Sequence, residues 1–349
     1  MSAARSADLA RLVDLVELFS QQTILVLGDL VADEFVFGDI ARVSREAPVL
    51  ILRQRDVQTA PGGGANAANN LADLGARVRV VSAVGDDAAG DRLLQYFRHK
   101  RVDVSGVVRV PGWTTPAKTR FLAGWPHTTK QQVLRVDREP AEALPAKAAS
   151  LLARKARERR PGASALLVSD YGYGAAPPER LRALAGRRRW AIPVTLDSRY
   201  RLHDFAGLGI TAATPNEAEL EAAHHAQIGS NTGQLETLAR RTMTRLGVAA
   251  LVVTRGRDGM TVFERGRPPQ PLGVYGSDQA VDVTGAGDTV IAVFSLAMGA
   301  GATILEAAQL ANYAGGIVVM KRGTATLTRQ ELLGAIRGDA TGATSAAAP

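Results

Sequence analysis

Two carboxylates enclose three small residues in DVTGAGD, Asp282 to Asp288, and the chain runs on as TVIAVFSLAMGA, an apolar stretch of helical length. Gly285, Ala286 and Gly287 let a ligand approach the backbone N–H groups at the start of that helix, which have no partner within it. Together with the helix dipole they form a site for an anion. Asp288, directly after the last glycine, then stands beside whatever anion is held. If that anion is a phosphoryl group in transfer, Asp288 can take the proton of the attacking hydroxyl. Read in isolation, the heptapeptide fits a tight turn with a capping Asp equally well.

Two further clusters accompany it. PGGGANAANNLADLG, Pro61 to Gly75, has glycines that allow close backbone approach, Gly63 among them, and Asn66 offers a donor and an acceptor to a hydroxyl-rich ligand. GDLVAD places Asp29 and Asp33 just after an apolar run, where carboxylates can accept hydrogen bonds from sugar hydroxyls. A strand-end turn would account for Asp29 as well.

These residues need a frame. Apolar β-rich runs (TILVLGD, RVRVVSAVG, ALLVSD, AIPVTLD, ITAATP, ALVVTRG) alternate with helical patterns between residues 23 and 320. Such alternation predicts an α/β fold with a doubly wound, mainly parallel sheet flanked by helices. Ligands then bind beyond the carboxyl ends of the strands. Two segments, about 34–58 and 114–138, read instead as paired strands with polar turns, and are expected to form a small β-sheet lid over that end. The expected main domain covers 20–338, and 339–349 is a low-complexity tail expected to be disordered.

Composition narrows the class. The chain has 349 residues, 46% hydrophobic and 22% charged, enough for a sizeable core. The absence of cysteine removes disulfides, thiolate catalysis and Cys-based zinc sites. No membrane span or secretory signal is read from the sequence, and a cytoplasmic location is expected. The formal charge of +8 rests on short basic runs, RKARER with Arg160 and GRRRW at Gly186–Trp190, without interleaved aromatics. A solvated face is the simpler reading, so no nucleic-acid partner is expected. The first strand is followed by GDLVAD rather than G-x-G-x-x-G, and no G-x-x-x-x-G-K-[ST] occurs, which sets aside a dinucleotide dehydrogenase and a P-loop kinase.

The Gly-rich segment with GARVRVVSAVGDDAAG, followed by DVTGAGD, resembles both signatures of the PfkB/ribokinase family of carbohydrate kinases, over roughly residues 23 to 336. The resemblance implies a ribokinase-like fold with a β-sheet lid and ATP- and Mg2+-dependent phosphorylation. Asp288 becomes the catalytic base, and the backbone of Gly285, Ala286 and Gly287 the anion hole. In TPNEAEL, Asn216 and Glu219 resemble the N-x-x-E element that organises magnesium and phosphate, Glu219 acting on the metal indirectly. Thr254 and Gly256 in VVTRGRDG and Asn312 in QLANYAGG match nucleotide-binding positions. Within the family the chain is similar to heptose 7-phosphate kinases, through GDLVADEFVFGDIARVSREAPVLIL with Ser44, Glu46, Ala47 and Pro48, KTRFLA, QQVLRVDRE, SDYGYG and GTATLTRQEL. That similarity assigns Asp29, Asp33, Gly63 and Asn66 to the sugar, and Lys118, Arg120 and Arg138 to a distal phosphate. A homodimer through the lid is implied, and a monovalent cation beside the Asp282 loop is left open. Tyr173 stands where relatives carry lysine, and neither a nucleotidyltransferase domain nor its histidine motif is seen, so the kinase is expected to act alone. An unphosphorylated sugar or nucleoside as acceptor, and a non-catalytic sensor, are the competing readings.

Overall fold

The computed structural model describes residues 3–125, 128, 130–185, 190–277 and 279–341; the side chains of 3–7, 340 and 341 are not described. The basic run at 186–189, positions 126, 127 and 129 of the lid turn, and 342–349 lie outside the described residues. The strands are β1 (Thr23–Gly28), β2 (Leu30–Val43), β3 (Leu50–Gly63), β4 (Arg77–Val81), β5 (Ala83–Gly85), β6 (Val108–Val110), β7 (Ala117–Gly124), β8 (Gln131–Arg138), β9 (Ala165–Asp170), β10 (Val194–Ser198), β11 (Ala212–Ala213), β12 (Ala250–Thr254), β13 (Met260–Glu264) and β14 (Gln270–Leu272). The α-helices are α1 (Ala3–Glu17), α2 (Gly64–Asp73), α3 (Ala88–His99), α4 (Ala146–Arg159), α5 (Pro178–Ala185), α6 (Glu217–His224), α7 (Thr232–Leu246), α8 (Ala286–Gly299), α9 (Ile304–Val318) and α10 (Arg329–Thr341).

Among the described residues the main sheet runs β14-β13-β12-β11-β10-β9-β1-β4, parallel from β4 to β12 and closed by two antiparallel strands. β1 and β9 are buried along their whole length, as strands covered by helices on both faces must be. Successive residues of β1 feed opposite cores. Ile24 and Val26 join Leu12, Phe19, Leu71, Phe294 and Leu310 on one side. Leu25 and Leu27 join Leu152, Leu181, Phe205 and Leu238 on the other. β1 lies between β4 and β9, so the winding reverses there and leaves a crevice at the carboxyl ends of β1 and β9.

RVRVVSAVG divides instead of forming one strand. β4 stays in the main sheet, while the Ser82 carbonyl accepts from Val108 N and turns β5 away to pair with β6. At the ends of the chain, α1 precedes residue 20 and buries Leu12, Leu15 and Val16. α10 continues to Thr341, inside the segment expected to lack structure from 339, and the Tyr313 hydroxyl donates to Asp339 at 2.7 Å.

A separate four-stranded sheet, β3-β2-β7-β8, consists of two hairpins joined along parallel β2 and β7. Its register separates two faces. Asp33, Phe35, Lys118, Arg120, Arg135 and Asp137 share one. The other carries a cross-strand row, Val57–Val36–Phe121–Leu134. Every residue of β8 is exposed.

Candidate active site

α8 begins at the loop that sequence singled out. Gly285 is its N-cap at φ +79°, a left-handed conformation, and a β-carbon there would lie 2.5 Å from Asn66 Nδ2. Only glycine satisfies both conditions. A β-carbon at Gly287 would meet nothing within 4 Å, so the backbone faces open space. Asp288, in the first turn, is 5% exposed. Its Oδ2 accepts from Asn66 Nδ2 at 3.1 Å, and the same amide donates to the Gly285 carbonyl at 3.2 Å. Asn70 Nδ2 in turn donates to Asn66 Oδ1 at 3.1 Å, so a buried amide chain on α2 fixes the carboxylate of α8. Burial pushes the Asp288 carboxyl up to about 7, against the hydrogen bonds of Tyr171 and Asn66 that pull it down.

Tyr171 carried no weight in the sequence reading. Its hydroxyl donates to Asp288 Oδ1 at 2.7 Å. The loop that carries it follows β9 and is held from the end of β1. Asp29 Oδ2 accepts from the N–H groups of Tyr171 (2.9 Å) and Tyr173 (3.0 Å), and Oδ1 accepts from Ala175 (2.7 Å). Asp29 thus bridges the crevice where the winding reverses, with both oxygens engaged by backbone. Its carboxyl is pushed up to about 6 by burial, with the Ala175 N–H pulling down and the Asp170 charge adding to the rise. Asp170, fully buried, pairs with Arg201 and accepts from Ser198 Oγ at 2.8 Å, which supports the same loop from below.

Beside Asp288 opens a cleft of about 620 Å3 lined by Asp197, Arg199, Glu219, Thr254, Gly256, Gly285 and Gly287. Asn216 and Glu219 form a reciprocal capping box on α6: Glu219 N donates to Asn216 Oδ1 (2.8 Å) and Asn216 N to Glu219 Oε2 (2.9 Å). The N-x-x-E spacing is therefore met by helix capping, with Glu219 still on the wall of the cleft. Asp197, at the end of β10, was missed from sequence. Burial raises its carboxyl well above the ordinary range, and the charges of Glu219 and Asp288 add to the effect. Glu219 is raised as well, chiefly by burial. Among the described residues no group of three or more His, Asp or Glu side chains could hold a metal ion by itself.

A second pocket of about 380 Å3 adjoins the cleft through Thr254, Gly256, Val283 and Gly287 and is walled by Met260, Val274 and Val290. Asn312 stands at its edge with Nδ2 donating to the Gly273 carbonyl at 2.7 Å. An open backbone hole beside an apolar slot suits a nucleotide, with phosphates at Gly287 and a flat base in the slot. Asp282 uses both oxygens internally, accepting from Thr284 N and Gly323 N at 2.9 Å each.

The second sheet stands over Asp288. Lys118 Nζ lies 5.6 Å from the centroid of the Tyr171 ring, and burial lowers its pKa, with the Arg199 charge adding to the fall. It makes no ion pair among the described residues. Arg120 does: Nη1 donates to Asp33 Oδ1 at 2.7 Å, while Thr324 Oγ1 donates to Asp33 Oδ2 at 3.1 Å. Arg138 faces away and donates to Glu34 Oε2 at 2.8 Å, a carboxylate shared with Arg92 and Thr119. Gly63, at φ +56°, ends β3 and is the N-cap of α2. Tyr173 turns outward, its hydroxyl donating to Glu139 at 2.7 Å. Ser44, Glu46, Ala47 and Pro48 make the β2–β3 turn, where Ser44 Oγ accepts from Glu46 N at 3.1 Å. Asp29, Asp33, Asn66, Lys118, Arg120 and Asp288 are brought together; Arg138 and the tip of that hairpin are not.

A doubly wound α/β core with a β-sheet lid, and an acid at a glycine-opened helix start beneath it, defines a sugar-kinase type of protein. The chain belongs to the pfkB family of carbohydrate kinases, whose family model matches residues 22–331. It is 39% identical over 319 residues to the "Bifunctional protein HldE" of Geobacter metallireducens and 37% identical over 333 residues to that of Magnetococcus marinus. Those matches cover 89% and 93% of this chain but 62% and 66% of the relatives, so the chain spans roughly two thirds of their length or less. Among solved structures, ribokinase of Arabidopsis thaliana, complexed with ribose and ATP, superposes with a TM-score of 0.68 at 21% identity, covering 90% of this chain and 98% of that one. Phosphofructokinase-2 of Escherichia coli, in complex with substrates and products, gives 0.72 at 18%, with the same coverage. Both share the fold.

Proposed function

We propose that this carbohydrate kinase transfers the γ-phosphoryl group of ATP to a hydroxyl of a sugar phosphate, heptose 7-phosphate giving the 1,7-bisphosphate. The observation that carries the reading is the convergence at Asp288. A buried carboxylate faces an open anion hole on one side and, on the other, a half-buried ammonium, Lys118, that has no ion pair among the described residues. The acceptor hydroxyl lies between Asn66 and Asp288. As its oxygen attacks the γ-phosphorus, its proton passes to Asp288, and the bond from that phosphorus to the β-phosphate oxygen breaks. The N–H groups of Gly285–Gly287 stabilise the negative charge on the transferring group. Asn312 and the apolar slot hold the base of the nucleotide, with Thr254 and Gly256 along its phosphates. Glu219 and Asp197 are the carboxylates that would flank a bound Mg2+, which would supply charge neutralisation on the phosphates.

Lys118 and Arg120 on the lid give the distal phosphate its cationic partners. Lid closure excludes water and keeps ATP from hydrolysis. Asp29, with its oxygens engaged by backbone, supports the sugar subsite through the 171–175 loop. The apolar row on the outer face of the lid suits a second copy of the chain, so the lid joins two subunits. ATP use fits a cytoplasmic enzyme.

A second reading, an unphosphorylated sugar or nucleoside as acceptor, is favoured by the carboxylates already paired with Arg120 and Arg138. ATP turnover with Mg2+ against heptose 7-phosphate, fructose 6-phosphate, ribose and adenosine, read by 31P NMR, separates the two. Phosphorylation at C1 of heptose 7-phosphate is expected. Asp288→Asn should lower kcat by at least about a thousandfold while leaving ATP affinity within a few-fold, since it removes a base and not a nucleotide contact. Substantial turnover in that variant would remove Asp288 from the mechanism.

A further inference from the structure

We infer that Tyr171 is a positioning residue for the base: its hydroxyl holds Asp288 ionised and turns one carboxylate oxygen toward the acceptor hydroxyl. Its bearing on turnover rests on Asp288 being that base; the contact itself does not. The geometry is constrained from three sides. Tyr171 OH donates to Oδ1 at 2.7 Å, while Asn66 Nδ2 donates to Oδ2 at 3.1 Å. Each carboxylate oxygen has two acceptor positions, so one remains on each for an incoming hydroxyl. The two donors on opposite oxygens fix the rotation of the carboxylate. The tyrosine itself cannot drift, because its own N–H is tied to Asp29 Oδ2 and the neighbouring N–H groups of 173 and 175 to the same carboxylate.

The contact also offsets an electrostatic burden. Asp288 faces Asp33 from β2, Lys118 from β7, Asn66 from α2 and Tyr171 from the loop after β9, while Asp197 on β10 and Glu219 on α6 lie along the same cleft. Burial and Asp33 favour the protonated acid, which cannot serve as a base. Lys118, Asn66 and Tyr171 favour the carboxylate. A phenol is an effective counterweight here because its own ionisation is suppressed, first by burial and then by the charge of Asp288, so it remains a donor at every working pH. Without that donor, a larger share of the enzyme would hold a protonated Asp288 near neutrality.

The test is Tyr171→Phe, which keeps the ring under Lys118 and removes only the hydroxyl. In the full-length chain labelled with 13C-carboxyl aspartate, the Asp288 resonance is the one absent from Asp288→Asn. Its NMR titration needs no substrate. The wild-type midpoint is expected near neutrality, and in Tyr171→Phe it should rise by about one pH unit, as loss of a hydrogen bond to a charged group requires. With heptose 7-phosphate and MgATP, the acid limb of kcat/KM should rise by the same amount, giving about a fivefold loss at pH 7, approaching tenfold below pH 6, that recovers by pH 9. An unchanged or lowered midpoint overturns the inference. A raised midpoint together with an active Asp288→Asn leaves the contact standing and removes the assignment of the base.

Discussion

Two glycines only two positions apart, Gly285 and Gly287, have opposite requirements. Gly285→Ala would force a side chain into a left-handed backbone and place its β-carbon against Asn66, so it should lower both stability, by about 1–3 kcal/mol, and turnover. Gly287→Ala meets empty space in a helix and should raise stability by up to about 1 kcal/mol while impairing ATP use, because the methyl enters the anion hole. Denaturant melts and steady-state kinetics on both variants check the contrast. Asp288 carries a further cost. Its carboxyl binds a proton more tightly in the folded chain, about 7 against the ordinary 3.8. The stability that this gives is therefore fully present below pH 3.8 and is lost as pH rises through 7. The loss is on the order of 4 kcal/mol, at 1.36 kcal/mol per pH unit. Asp288→Asn should then melt above wild type at pH 8, with the gap closing toward pH 4, as thermal melts across pH will show. Sequence motifs located this residue because glycine runs and acids at a helix start are local signals. They did not reveal Tyr171 or Asp197, whose importance comes from the ends of β9 and β10 meeting α8 in space. Asn216 and Glu219 show the opposite limit: one spacing encodes a capping box and a cleft wall together, and sequence cannot separate them.

At the level of elements, the lid and the core are fastened through adjacent residues of β2. Asp33 faces the site and Glu34 faces outward, where Arg92 of α3 and Arg138 of β8 share its carboxylate. Burial would raise the Glu34 carboxyl, but Thr119, Arg138 and Arg92 outweigh it and hold it below its ordinary value. Glu34→Ala removes that fastening without touching the face that carries Lys118. It should raise KM for the sugar and increase ATP hydrolysis without sugar severalfold, measured by phosphate release, with kcat much less affected. The alternation of strands and helices was legible because each parallel strand is apolar on both faces and each helix on one. The division of RVRVVSAVG into β4 and β5 was not, since a carbonyl at Ser82 turning toward Val108 leaves no mark on hydrophobic pattern.

For the whole molecule, the row Val57–Val36–Phe121–Leu134 sets the assembly expected of it. Leu134 is 55% exposed, and Leu134→Asp should convert the proposed dimer to monomers in light-scattering measurements while leaving the far-UV spectrum unchanged. The same sheet turns Lys118 and Arg120 to the opposite side, because side chains alternate along a strand. The spacing of the lid strands is thus constrained as tightly as their residues. Adding or deleting a single residue within β7 would send Lys118 and Arg120 to the outer surface and bring Thr119 and Phe121 over Asp288. Length changes in the turn between Val43 and Leu50 would shift neither side. Insertions and deletions in such lids should therefore accumulate in the hairpin ends and be excluded from the strands, with the reading frame of alternation kept intact where single substitutions are not.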